Sequence, residues 1–361
     1  MVDLIALPND LNSIVFEYIN SDDAKYIITK NMDNSDKCNY AAKYGYLELL
    51  KYFHYNGCVW NETTYGNAAS NGHIDCLKYL HENGCMWNDW TFTNVAKYDH
   101  LECIKYMHEN GCHWNYGTCK SAAGNGNLEC LKYMYENGCP FNKDVCDMAA
   151  ANGHLECLKY LHENDCQWDE NTCNFAAANG NLECLKYMFY NDCQWDEMTC
   201  RIAAKNGHLE CLKFLHENDC VWNRSVCNET AENGHLDCLK YAIDNDCPRN
   251  EMACRISAKN GHLECLKYLH ENDCPWDNRT CILAARYGNL TCLKYAIDNG
   301  CPRNEMACRT AAANGHLDCL KYLHENGCVL DEWTCKLASE CGSFECLKYL
   351  HDNGCQSGDG V

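Results

Sequence analysis

Residues 150–166 read Ala150-Ala151-Asn152-Gly153-His154-Leu155-Glu156-Cys157-Leu158-Lys159-Tyr160-Leu161-His162-Glu163-Asn164-Asp165-Cys166, and this stretch decides the fold. Alanines close one helix, and Asn-Gly ends it because glycine accepts the left-handed conformation of a tight turn. Leu155, Cys157, Leu158 and Leu161 then line one face of a second helix. The same sentence recurs every 27 residues, twelve times between Cys38 and Cys355, with no insertion or deletion. Its glycine column runs from Gly45 to Gly342 and is broken only by Asp99. A fixed period of this length marks a stacked array whose units cannot bury their apolar faces alone. A residue repeated in every copy is an architectural part, so specific chemistry belongs where the copies differ.

Within the copy that starts at Asp169, an N-cap acceptor is followed by an acid in the first turn. That position is Asn or Asp in every copy from Asn61 to Asp331. The first helix buries Cys173, Ala176 and Ala177, and small residues there let two helices approach closely. The second helix, Leu182 to Tyr190, turns Cys184, Leu185 and Met188 inward and leaves Glu183 and Lys186 outside as a weak surface pair. The unit is a helical hairpin plus a short turn.

The run A-A-x-N-G-H-L-E-C-L-K-Y-L-H-E-N-G-C resembles the ankyrin repeat, over roughly nine-tenths of the chain. The alanine pair, the Gly-His turn, the Leu-Glu opening of helix two and the Asn-Gly ending all coincide. The resemblance implies an all-α, ankyrin-type helical-hairpin solenoid of twelve 27-residue repeats. The family period is about 33 residues, so the projecting β-hairpin fingers should be absent or reduced to turns. The family's Thr-Pro-Leu-His opening is also replaced, as at Asn171-Thr172-Cys173-Asn174. Short, cysteine-rich repeats of this kind look like those encoded in large sets by giant DNA viruses of amoebae. The implied function is a non-catalytic protein–protein interaction scaffold that binds a host or other partner protein along its concave surface.

The formal net charge of -21 argues against nucleic acid and anionic membrane, both of which need a basic footprint, and favours a basic or neutral partner. Of 34 cysteines, 33 fall in three columns of the repeat. Same-column cysteines of adjacent repeats should sit roughly 10 Å apart, the spacing of packed helices, beyond the reach of a disulfide. The start, Met1-Val2-Asp3-Leu4, has no basic, apolar secretion signal, and no window reaches transmembrane length. The expectation is a cytoplasmic protein with reduced thiols.

His154 and Cys157, with Cys146 nearby, suggest zinc ligands. The histidine column, however, lapses to Asn127, Asn181 and Asn289, and Leu49 replaces its cysteine partner in the first copy. Cysteine also behaves as a small buried hydrophobe. The expectation is core packing, with no metal and no cofactor, and the histidine hydrogen-bonding the turn. The tryptophan column (Trp60, Trp87, Trp114, Trp168, Trp195, Trp222, Trp276) is either packing that fills the place of a missing finger or an exposed stripe for a peptide. No G-x-S-x-G, phosphate-cradling glycine loop or unique Cys–His pair is present, so no catalytic residues are assigned.

All eight arginines lie between Arg201 and Arg309. At 100° per residue, the helix-one face opposite Cys-Ala-Ala carries Arg201, Lys205, Arg255, Lys259, Arg279, Arg286 and Arg309. In ankyrins that face lines the groove used for partners, and arginine suits carboxylate or phosphate. The rival reading is duplication: residues 240–269 recur almost verbatim at 294–323 and carry arginines with them.

Residues 1–34 form an N-terminal helical cap, residues 35–355 the solenoid and residues 356–361 a tail. A cap covers the first repeat's apolar face, as arrays require. The run Leu7-Pro8-Asn9-Asp10-Leu11 through Ile14 and Tyr18 also resembles the opening of an F-box. That implies docking of Leu7, Pro8, Leu11, Ile14 and Tyr18 on the Skp-type adaptor of a cullin ubiquitin ligase, with the array as substrate receptor.

Overall fold

The computed structural model describes residues 34–355. The F-box-like residues Leu7, Pro8, Leu11, Ile14 and Tyr18 and the C-terminal tail lie outside the described residues. Among those described, 24 helices from Asn34–Tyr44 to Phe344–Asp352 alternate as first and second members of hairpins, and no strand occurs. Fingers are therefore reduced to turns. The chain divides into two compact units, Met1–Thr172 and Cys173–Val361, and the packing rules below hold within each.

Most helices are nine residues long, shorter than a helix stable on its own in water. Their stability comes from stacking. The first helices of adjacent repeats pack more closely than the second, because they meet through fully buried alanines such as Ala68, Ala69, Ala122 and Ala123. The second helices bury a Cys-Leu-x-x-Leu face, as at Cys76, Leu77 and Leu80. The expected caps form: Asn61 accepts from the Thr63 and Thr64 amides, and Asp196 from Met198 and Thr199. Asn142 makes no side-chain cap. In some repeats a buried threonine in the first turn also ties the layer to the one before. Thr64 Oγ1 donates to Asn39 (2.5 Å), Thr172 to Asp147 (2.5 Å) and Thr199 to Asn174 (2.7 Å).

The expectation of reduced thiols rests on same-column distances, and the structure brings different columns together. Cys38 and Cys58, Cys119 and Cys139, Cys308 and Cys328, and Cys335 and Cys355 meet sulfur to sulfur, with Cα atoms 6.5–6.8 Å apart. Each pair joins a first-helix cysteine to the turn cysteine 20 residues later. The chain reverses twice between them and lays the turn beneath its own first helix. Comparing like columns never tests that cross-column distance. In other repeats the same two positions hold thiols in contact, 3.0 Å at Cys146 and Cys166 and 2.8 Å at Cys173 and Cys193. Same-column spacing therefore does not by itself decide the state of the thiols. Among the described residues, no helix is long and apolar enough to cross a membrane.

Candidate interaction surface

Two sides of the stack differ in what they repeat. On the first-helix side, the turn histidine reaches back 30 residues: Nε2 of His73, His235 and His262 lies 3.0 Å from the carbonyls of Lys43, Lys205 and Glu232. It bonds the preceding repeat rather than its own turn. The ring lies over the preceding glycine, so a Cβ on Gly207 would stand 2.5 Å from His235 Nδ1. Gly207 also has φ of +74°, and only glycine meets both demands cheaply. Where Asp99 holds that position, with φ of 55°, the next repeat carries Asn127, which still donates to Ala96 O at 2.8 Å. Asn289 makes the equivalent bond to Lys259 O. The histidine column is thus an inter-repeat spacer. Among the described residues, no three His, Cys, Asp or Glu side chains converge on a point where they could hold a metal. Burial pushes the Cys76, Cys157 and Cys184 thiols up to about 11, which keeps them protonated at neutral pH.

The exposed face of the first helices is polar. A cleft of about 580 Å³ opens there in the N-terminal unit, lined by Gly66, Asn67, Ser70, Asn71 and Asn94. Gly66 has open space where a Cβ would stand.

On the second-helix side, the last-turn histidine stacks on the tryptophan of the following turn. Ring centroids are 3.7 Å apart for His54–Trp60, 3.8 Å for His108–Trp114 and 3.7 Å for His216–Trp222. The tyrosine of the next second helix meets the pair edge-on, and His54 Nδ1 and Tyr79 Oη are hydrogen-bonded at 2.8 Å. His81–Tyr106, His108–Tyr133 and His270–Tyr295 repeat that bond at 3.0–3.1 Å. The tryptophans are half-buried and join one repeat to the next. The sequence reading weighed the tryptophans alone. The signal it missed is the recurrence of all three residues at fixed offsets, with histidine six before the tryptophan and tyrosine nineteen after it, as at His54, Trp60 and Tyr79.

The structure divides the seven candidate cations. Arg255 is paired with Asp277, its Nε 2.9 Å from Oδ1, and its side chain is 13% exposed. Arg309 pairs with Asp331 through Nε at 3.0 Å. Both clamps join a first helix to the N-cap of the next, and the 54-residue offset between them is that of the duplication. Arg201 approaches Glu229 at 3.6 Å, and Lys259 Nζ lies 5.5 Å from the Tyr287 ring. Lys205, Arg279 and Arg286 are exposed and form no ion pair among the described residues.

This geometry has a match among known families. The ankyrin-repeat profile, built on blocks of three copies, matches residues 38–118, 120–199, 200–280 and 281–359. The chain belongs to the ankyrin-repeat family. Among solved structures, the human ASB11 ankyrin repeat domain is similar over 44% of this chain and 84% of its own. Identity is 18% and the TM-score 0.40. No protein of curated function matches. Ankyrin repeats are protein–protein interaction scaffolds.

Proposed function

We propose that this ankyrin array is a non-catalytic scaffold that holds a partner protein against the exposed face of its first helices. One observation carries the reading. Buried positions are nearly identical from copy to copy, whereas solvent-facing first-helix positions change from Gly66 and Ser70 to Arg201 and Lys205, and from Thr63 and Ser70 to Arg279 and Arg286. A surface that varies on a core that does not is what selective binding to a long partner requires. The net charge of -21 favours a basic or neutral partner. Exposed Lys205, Arg279 and Arg286 mark a local site for carboxylates or phosphates, with Arg255 and Arg309 set aside as clamps. The resemblance to viral ankyrin arrays supports a host protein as partner. The Leu7-Pro8 run supports a second reading, a substrate-receptor subunit of a cullin-type ubiquitin ligase.

Affinity capture with the full chain tests these readings together. Lys205→Glu, Arg279→Glu and Arg286→Glu combined should abolish retention of the partner. Leu7→Ala with Pro8→Ala should release ligase components alone. Unchanged capture by the first variant would refute the first-helix face as the binding surface.

A further inference from the structure

We infer that the turn side of the C-terminal unit carries a cleft for an arginine side chain, built around Phe189 and Trp195. The inference rests on the scaffold reading and names a second, separate contact for a basic partner. It starts from the one copy in which the second-helix joint keeps its tryptophan and loses both the imidazole and the phenol. Phe189 stands where other repeats have histidine, and Phe214 where they have tyrosine. Phe189 and Trp195 stack at 4.5 Å and 10°, and Phe214 meets them edge-on at 5.7 and 6.0 Å. Elsewhere the joint satisfies itself by an imidazole–phenol hydrogen bond. Here that bond is absent, and the half-buried rings of Phe189 and Trp195 present their surface above the buried Phe214.

That surface opens into a cleft of about 470 Å³ between two successive turns. Its rim holds four exposed carboxylates, Asp192, Asp196, Glu197 and Asp219. None of them forms an ion pair among the described residues. Asp196 accepts amides of its own helix, and Glu197 accepts from Asn223 Nδ2 at 2.8 Å. Asp192 and Asp219 sit at φ of 62° and 64°, where Gly57, Gly84, Gly300 and Gly327 stand in other repeats. Glycine serves the turn equally well there, so the two carboxylates are not demanded by the backbone. Further along, Arg249 adds positive charge beside Asp246, so the purely acidic rim is local.

An aromatic face beneath unpaired carboxylates matches a guanidinium, which stacks flat on a ring while its edge donates to carboxylate oxygens. Lysine offers a point charge and no plane. The complement is a basic segment of a partner that lays one arginine into this cleft.

The test uses the full chain and a fluorescein-labelled Gly-Arg repeat peptide of about ten residues. Binding is read by anisotropy at about 150 mM salt, which screens charges beyond about 8 Å. Phe189→His with Phe214→Tyr restores the joint of the other repeats and keeps the fold. It should weaken binding about tenfold, the scale of a desolvated cation–π contact. Asp192→Gly with Asp219→Gly restores the other turns and should weaken binding at least about fivefold. Asp246→Gly with Asp273→Gly removes the same charge and should change binding less than about twofold. Equal losses in both aspartate variants, unchanged binding in the phenylalanine variant, or equal affinity for a Gly-Lys peptide would overturn the assignment. If the captured partner is retained by Phe189→His/Phe214→Tyr at full strength, the cleft fails and the scaffold stands. A wild-type chain that retains no partner overturns the scaffold reading itself.

Discussion

Repeats that end in His-x-x-x-x-x-Trp and the duplicated pair at 240–269 and 294–323 solve one problem in two ways. In the first kind, His216 stacks on Trp222, and Tyr241 closes the joint edge-on. In the second, Ile243 and Ile297 replace the histidine and Arg249 and Arg303 the tryptophan. The tyrosine is then redirected: Tyr268 donates to Asp244 and Tyr322 to Asp298, each at 2.5 Å. Arg249 and Arg303 donate to the carbonyls of Asn272 and Asn326 at 3.1 and 2.7 Å. Arg255–Asp277 and Arg309–Asp331 add ionic clamps on the opposite side. An aromatic joint is thus exchanged for polar and ionic ones, and the core beneath changes at one position, where Ala242 and Ala296 with buried Ile243 and Ile297 stand in for the usual leucine or methionine. The layers are interchangeable because the helical hairpin is held by its buried face alone.

The largest effect should come from the part both kinds share. Gly207→Ala in an aromatic repeat and Gly288→Ala in a duplicated one both force a Cβ into a left-handed turn, 2.5–2.6 Å from a histidine ring atom. Each should cost about 2 kcal/mol or more in urea unfolding followed by circular dichroism. Replacing the facing residue, His235→Asn or His316→Asn, should recover part of the loss, as the Asp99 and Asn127 pairing implies. A markedly smaller cost in the duplicated repeat would break the claim that the two kinds share one turn.

A smaller and unequal effect is expected at those joints. Trp222→Ala removes a half-buried ring from between His216 and Tyr241 and should cost about 2–3 kcal/mol. Arg249→Ala removes one exposed hydrogen bond and should cost less than about 1 kcal/mol by the same measurement. Equal losses would mean that the tryptophan contributes no more than a surface arginine.

The smallest effect separates the two kinds by pH. Burial holds the imidazoles of His54 and His108 below the usual value, so the unfolded chain takes up protons first. Their contribution is present above about pH 6.5, the unfolded value, and is lost as pH falls through the lower folded value. The guanidiniums of Arg255 and Arg309 hold the Asp277 and Asp331 carboxyls below the usual carboxylate range. That contribution is present above about pH 4 and is lost only below it. Hydrogen exchange corrected for intrinsic rate should show peptides at residues 54–114 loosening as pH falls below about 6.5, while those around Arg309 and Asp331 hold until about pH 4. Simultaneous loosening would show that neither histidine titrates in the joint.

Much of this was legible in order of repetition. The hairpin, its caps, the buried alanines and the outward Glu–Lys pairs follow from single-copy periodicity, and Glu183–Lys186 indeed closes at 2.9 Å. The partners of His54, Arg255 and Cys38 were not legible, because each lies 20–25 residues away. A column compares a residue with its own copies, whereas the joints pair different columns. The arginines show the consequence. On a helical wheel, Arg255 and Arg286 occupy one exposed face; in the stack, Arg255 reaches the next N-cap, and Arg286 stays in solvent.

By itself the sequence determined the repeating hairpin, its 27-residue period and the identity of its core. Those are local properties, set by turn chemistry and by apolar spacing within one unit. Only the stack decided which histidine spaces a glycine and which bonds a tyrosine, which thiols meet, and which cations are neutralised. Such choices depend on the offset between adjacent units, and that offset exists only once one unit has been laid on another.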